Sequence, residues 1–374
     1  MQMLNEQIEN EFGNYDRYIL GAIGFLLVIG ILMVYSASNA FSRDQQGDSL
    51  FYLKRQLFSC CLGLGLMLIA MLIDYRHYQR LMWLLIIVSF ALLLAVFIPG
   101  VGLKVGGSTR WIKIWKFTFQ PVEFAKLALI IYIARFLDKR SEYMGEFKKG
   151  VLPPLIVFSV FFTLLAIQPD FGSIVLLVAL AFLMLFVGGA KIYHLLILIS
   201  SAFIGLIIGI IVEPYRLNRV KIFLNPWRDP EGDGYQAVHS LYSLGSGKIF
   251  GRGVGGGVEK LHYLPTPHTD SIFAVIGEEL GFVGAVFVIM LFMIIVWRGK
   301  QISDSTDDRF GKLLAVGISC LIGVQAIINI GVATSSLPAK GITLPFISFG
   351  GSSLVISLIS VGILLNISKN KMQG

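Results

Sequence analysis

Residues 263–297 read YLPTPHTDSIFAVIGEELGFVGAVFVIMLFMIIVW. A proline-broken polar segment ends on Asp270, and from Ser271 to Trp297 the chain is apolar except for Glu278 and Glu279. An α-helix rises about 1.5 Å per residue, so roughly 20 apolar residues cross the ~30 Å of a bilayer's hydrocarbon. The stretch predicts a membrane-spanning helix with a carboxylate at its mouth. Runs of similar length and composition recur near 18–37, 53–73, 79–99, 121–137, 151–167, 171–188, 191–213, 311–332 and 343–367. The fold class expected is therefore an all-α polytopic membrane protein. It has ten transmembrane helices and one long extracytoplasmic loop, 214–269, between the seventh and eighth. Residues 1–16 form a polar, acidic, mobile terminus, 17–370 the transmembrane domain and 371–374 a short tail.

Composition agrees. Of the 374 residues 55% are hydrophobic and 14% charged, with mean hydropathy +0.76, whereas a soluble domain carries roughly 25% charged residues. The net charge of +8 sits on a small hydrophilic fraction, which points to anionic lipid or an anionic substrate. Nucleic acid is excluded as a partner, because no soluble basic domain is present to hold it. Cys60, Cys61 and Cys320 all fall within apolar runs and read as packing residues. SASNA after the first span resembles a signal-peptidase site, but the acidic leader and long apolar run favour an uncleaved span.

Ten spans put both termini on one side. With the termini inside, 14 Lys and Arg lie on inner segments and, once the long loop with its seven is set aside, 8 lie on outer ones. Long loops translocate with little regard to charge, so this asymmetry favours cytoplasmic termini. The outer cations are concentrated. Lys104, Arg110, Lys113 and Lys116 lie in a loop with no acidic residue, where STRWIKIWKFTF suits a hairpin or an interfacial segment. That pattern is either an aromatic belt with snorkelling cations or a cationic lip over a lipid headgroup. In the long loop, PYRLNRVKIFLNPW has the spacing of an amphipathic helix in the headgroup layer, and GYQAVHSLYSLGSG is helical in period. GRGVGGG (251–257) matches G-x-G-x-x-G only formally, since no βαβ unit surrounds it; it predicts a flexible or tightly turning loop beside the substrate.

No His/Cys group has metal-ligand spacing and no nucleophile motif occurs, which leaves a carboxylate for acid–base work. Asp270 is the best placed, as a general base or as a plain helix cap with Thr269. A helix N-terminus lowers a carboxylate's pKa while burial raises it, and sequence alone does not decide between them. Glu278 and Glu279 lie roughly 80° and 180° around the helix from Asp270. At most one shares its cavity, and the other ties helices together, with Lys126 as a candidate partner. Lys126, one turn inside the fourth span, is either functional as an intramembrane cation or the i,i+3 partner of Glu123. In NIGVATSSLPAKGITLPFISFGGSS (329–353), Lys340 stands between two prolines before the chain enters the last span through Pro345 and Gly350-Gly351.

MVYSAS, TRWI, QPVEFAKLA, PYRLNRVKIFLNPW, GYQAVHSL, YLPTPHTDSIFAVIGEELG and LPAKGITLPFISFGGSSL, in that order along the chain, together resemble the SEDS family of bacterial cell-wall polymerases. The lysine of LPAKG resembles the division branch, FtsW, more than the elongation branch, RodA; the sporulation branch is similar here too. The resemblance implies a peptidoglycan glycosyltransferase of the cytoplasmic membrane that polymerises lipid II during cell division. Asp270 of the HTD triplet would take the proton from the acceptor hydroxyl. It further implies that Arg110, Lys126, Arg216 and Lys340 hold the pyrophosphate, that His268 is a further substrate-binding residue, and that Glu123, Glu278 and Glu279 support the site. The partner implied is a class B penicillin-binding protein, with other divisome membrane proteins around it at the division septum. No metal ligands are assigned, and a divalent cation, Mg or Mn, is neither required nor excluded. Two departures stand out: Thr266 occupies a position where the family often has glutamate, and Ser271 follows the triplet in place of phenylalanine. The competing readings are an elongation-type polymerase of the same chemistry and a lipid II flippase. A flippase predicts a charged path through the bilayer and symmetry between halves; no clear repeat is present.

Overall fold

The computed structural model describes residues 15–105, 108–114, 117–212, 218, 221–261, 263–338 and 341–369. Arg216, Lys340, Lys116 and residues 214–217, 219 and 220 of PYRLNRVKIFLNPW lie outside them, as do residues 1–14. In chain order the long helices are α1 (Arg17–Gln46), α2 (Phe51–Leu72), α3 (Arg76–Ala95), α4 (Pro121–Lys139), α5 (Leu152–Ile167), α6 (Phe171–Val187) and α7 (Ile192–Val212). They continue with α8 (Tyr235–Ser246), α9 (Ile272–Asp304), α10 (Arg309–Ala333) and α11 (Gly351–Lys369). All but α8 coincide with an expected span. Seven of the described helices are long and apolar enough to cross a membrane, and α6 and part of α7 are shorter apolar helices. The expected hairpin is a three-stranded antiparallel sheet, β1 (Gly102–Val105), β2 (Ser108–Ile114) and β3 (Phe117–Phe119), ordered β1-β2-β3.

α10 and α11 are the most enclosed of those seven helices, and α11 packs chiefly on α2. Without a hydrophobic drive between helices in lipid, close backbone approach is what holds such a pair. Gly362 supplies it, since a Cβ there would lie 2.5 Å from the Met67 carbonyl oxygen. Three boundaries differ from expectation. α1 continues past Ala37 through SASNA to Gln46, because helix hydrogen bonding does not stop where apolarity does. Asp16, expected in the mobile terminus, is buried, caps α1 by accepting from the Tyr18 and Ile19 amides, and pairs with Arg298 at 2.6 Å. The last span does not begin near 343. Residues 341–350 are non-helical, with Leu344, Phe346, Ile347 and Ser348 buried and Phe346 at φ 66°. Such backbone survives at this depth only where protein satisfies its polar groups.

α9 is two helices in series. At Gly281 the backbone turns to φ 68°, ψ −168°, a region open essentially to glycine alone. The break frees carbonyls on one side and amides on the other, and the glycine-rich loop takes up both. Arg252 and Gly253 donate their N–H groups to the Glu278 and Glu279 carbonyls at 3.0 Å each. Phe282 and Val283 donate to the Lys248 and Ile249 carbonyls at 2.9 and 3.1 Å. GRGVGGG is thus a tight backbone splice, with Gly251, Gly253 and Gly255 at φ 80–87°. A Cβ on Gly281 would lie 2.2 Å from the Gly251 nitrogen. Gly281→Ala is accordingly expected to cost at least ~1–3 kcal/mol of backbone strain and to lower the thermal midpoint of the purified protein. An unchanged midpoint would mean the break is not clamped this way.

Candidate active site

Asp270 sits at the mouth of the first half of α9, and the backbone carbonyls of residues 268, 269 and 270 are each held. Phe349 donates its N–H to the His268 carbonyl at 2.8 Å, the Ser348 hydroxyl donates to the Thr269 carbonyl at 2.8 Å, and the Asn329 amide donates to the Asp270 carbonyl at 3.0 Å. The same Asn329 nitrogen reaches the Ile342 carbonyl at 2.8 Å. One buried amide on α10 therefore fixes Asp270 against the segment that follows Lys340. A Cβ placed on Gly341 would lie 3.3 Å from Asp270 Oδ2, so that segment runs directly beside the carboxylate. Asp270 is not a helix cap: Ser271 holds the N-cap position of α9, without a side-chain capping bond.

Burial decides the contest over the Asp270 pKa. Desolvation pushes it up from 3.8 to about 6, against a smaller downward pull from the Arg110 guanidinium. Arg110 projects from β2 and is oriented by the QPDFG turn. It donates to the carbonyls of Gln168 (3.2 Å) and Pro169 and faces Asp170 Oδ1 at 3.7 Å. Asp170 is fixed in turn by the Ser173 hydroxyl at 2.8 Å, and Gln168 by a bond to the Leu93 carbonyl at 3.0 Å. A preset cation thus faces a desolvated carboxylate, with the 341–342 backbone alongside.

The other expected residues divide. Lys126 is buried, and its described contacts go to Glu123 at 2.8 Å, the i,i+3 pair. Its expected link to Glu278 or Glu279 is not formed. Both of those carboxylates lie near the far end of the half-helix, fully buried, and neither has a described bond to Asp270. Glu279 binds Lys260, the Ser36 hydroxyl at 2.7 Å and the Gly255 amide at 3.0 Å. Glu278 accepts from the Val258 amide at 2.8 Å and the Ser243 hydroxyl at 3.1 Å. Together they anchor the 252–260 loop to α1 and α9. His268 is buried among Tyr52, Phe41 and Phe349, with ring centroids 4.2, 5.3 and 5.7 Å away. Burial pushes its imidazole down to about 4, so it is neutral and packs into that aromatic cluster. Arg216 and Lys340 lie outside the described residues. The residues that sequence reading missed are Asn329, Ser348, Asp170 and Lys260. Each acts through a neighbour distant in sequence, and none has a local pattern that betrays it.

A bundle of membrane-length helices, with a desolvated carboxylate and an oriented arginine at the mouth of one of them, defines a multi-pass membrane protein. The family model described as cell cycle protein, FtsW/RodA/SpoVE, matches residues 17–373, and the chain belongs to that family. Stage V sporulation protein E of Bacillus subtilis (strain 168) is 44% identical over 92% of this chain and 94% of its own length. The probable peptidoglycan glycosyltransferase FtsW of Geobacter sp. (strain M18) is 42% identical over 96% of this chain and 98% of its own. Among solved structures, a chain from a peptidoglycan synthase complex that coordinates polymerization and crosslinking superimposes with a TM-score of 0.80. It is 27% identical and covers 96% of this chain and 99% of that one. The rod shape determining protein RodA of Thermus thermophilus gives a TM-score of 0.69 at 25% identity, covering 96% of this chain and 98% of that one.

Proposed function

We propose that this protein is a division-type peptidoglycan glycosyltransferase that polymerises lipid II, with Asp270 as the general base. The observation that carries the reading is the Asp270 carboxylate itself, desolvated to a pKa of about 6 and backbone-clamped at the mouth of α9. A base works best with a pKa near the operating pH. Asp270 removes the proton from the acceptor sugar hydroxyl, and that oxygen attacks the anomeric carbon of the lipid-linked donor. The bond to undecaprenyl pyrophosphate breaks, and the leaving group carries away the electron pair. Cations beside the leaving group stabilise that developing charge. The role goes to Arg110 together with Arg216 and Lys340, while Lys126, already neutralised by Glu123, is assigned to stability. Among the described residues no three His, Cys, Asp or Glu side chains converge as metal ligands.

The same reading places the chain in the bacterial cytoplasmic membrane at the division septum. Its ten spans then leave both termini in the cytoplasm and the 214–269 loop outside. The likeness to a chain of a peptidoglycan synthase complex supports a class B penicillin-binding protein as the crosslinking partner, alongside other divisome membrane proteins. The deciding experiment is polymerisation of fluorescent lipid II by the purified chain. A chain that binds lipid II and never extends it would overturn the assignment. Arg110→Gln removes both a pyrophosphate contact and the charge that holds the Asp270 pKa down. It is expected to raise the KM for lipid II by roughly tenfold or more and to move the acid limb of kcat/KM above pH 6. An unmoved limb would separate Arg110 from Asp270.

A further inference from the structure

The HTD triplet (268–270) and the segment 342–349 are joined at three points. The His268 carbonyl is bonded to the Phe349 amide and the Thr269 carbonyl to the Ser348 hydroxyl, directly in each case. The Asp270 and Ile342 carbonyls are instead bridged by the Asn329 side chain, at 3.0 and 2.8 Å. One end of the segment is thus bonded to the triplet itself, and the other is held from α10. The end held from α10 is the one beside the carboxylate, since the adjoining Gly341 backbone abuts Asp270 Oδ2.

Asn329 is 1% exposed within the apolar run AIINIGVA (326–333), where an unbonded amide would be costly. Its NH2 group has two protons, one for each carbonyl. Turning the amide over would set Oδ1 against both carbonyl oxygens, so these partners fix its orientation. Both bonds depend on one nitrogen, and removing it frees Asp270 and Ile342 together.

The charges around Asp270 leave this bridge a distinct part. Arg110, on β2, is the charged group that acts on the carboxylate, and Asp170 pairs with the same guanidinium. His268 is neutral in its aromatic cluster, and Glu278 and Glu279 are tied to the glycine-rich loop. From Leu313 to Leu337 the one ionisable side chain is Cys320, and residues 341–350 carry none. Lys340, between them, lies outside the described residues. The 341–342 segment has no charged side chain of its own, so it acts on Asp270 by displacing water. We propose that Asn329 is a positioning residue for the reaction: its amide nitrogen holds the 341–342 backbone against Asp270, which keeps the carboxylate shielded from water and fixed in place. The role rests on the reading of Asp270 as the general base.

The test uses the full-length purified chain in nanodiscs, with two readouts. Infrared difference spectra of the carboxyl stretch, each chain minus its own Asp270→Asn version, follow the Asp270 proton without any need for activity. Lipid II polymerisation gives kcat and KM against pH. Asn329→Leu keeps the approximate shape of the side chain and removes the nitrogen. It is expected to move the Asp270 titration down from about 6 by about one unit or more, toward that of a solvated carboxylate. With the base weaker and looser, kcat at about pH 7.5 should fall roughly 10–100-fold with KM little changed. At about pH 5 the variant's base is still half ionised while most of the parent's is protonated, so the deficit in kcat/KM should narrow roughly fivefold. Asn329→Ser, which keeps one donor, should fall between. Gln325→Leu, one turn away on the same buried face of α10, should leave titration and turnover where they are. An unmoved or upward titration in a folded Asn329→Leu, an unchanged kcat, an equal shift in Gln325→Leu, or loss of fold in both Asn329 variants would each overturn the proposal. If the titration moves down while the parent chain never extends lipid II, the bridge to Asp270 stands and the polymerase reading falls. If the parent polymerises, Asp270→Asn does not, and the titration is unmoved in Asn329→Leu, the reading stands and the bridge falls.

Discussion

Asp270→Asn is expected to lower lipid II polymerisation by roughly 10²–10⁴-fold, the usual contribution of a positioned base, while leaving the protein as stable as before or more so. The sign follows from the direction of the pKa shift. Folding raises the carboxyl from 3.8 to about 6, so the folded state binds this proton more tightly than the unfolded one. The ionised group therefore costs nothing below about pH 4, and its cost, of order 1–3 kcal/mol, is fully present above about pH 6. A neutral amide avoids that cost at pH 7. Loss of activity with an equal or higher thermal midpoint identifies a catalytic group; loss of activity with a midpoint several degrees lower would mark Asp270 as structural. In the parent enzyme kcat/KM should fall about tenfold per pH unit below pH 6, as the base becomes protonated.

Lys126→Met is expected to have the largest effect on stability. The change leaves Glu123 charged, buried and alone, and stranding one member of a buried pair typically costs ~3–5 kcal/mol. Glu123→Gln combined with Lys126→Met removes both charges and should restore most of the parent midpoint, since an apolar replacement of a buried pair is often neutral. Thermal unfolding of the purified single and double variants measures this directly. A single variant with a normal midpoint and a raised KM for lipid II would instead return Lys126 to the pyrophosphate clamp.

The spans were legible because the bilayer imposes length and composition on each helix separately, and neither depends on tertiary partners. The place of Asp270 at the mouth of a span was legible for a related reason, since it ends the polar segment from which the apolar run starts. The direction of its pKa shift was not, because that depends on how completely the 341–350 segment covers it. That segment was itself misread. LPFISFGG is apolar enough to extend a helix, and only its bonds to His268 and Thr269 show that it folds back as a lining. The Glu279–Lys260 pair was hidden because its partners lie 19 positions apart across a glycine loop. Asn329 was passed over because a single amide in an apolar helix looks like packing until its two acceptors are seen.

The splice at Gly281 bears on chain entropy. Because residues 248–253 are bonded to both lips of the break in α9, the intervening chain, including Asp270, is a closed ring pinned at its neck. Ring closure restricts the ensemble much as a cross-link would, and its entropic cost grows by only about 0.6 kcal/mol for each doubling of ring length. The neck is thus where the ring is intolerant of change, whereas the exposed Pro265–Thr266 turn sits in the part of the ring that lengthening disturbs least. The Asp270 carboxylate rides on a tethered loop whose length is nearly free to vary and whose anchorage is not.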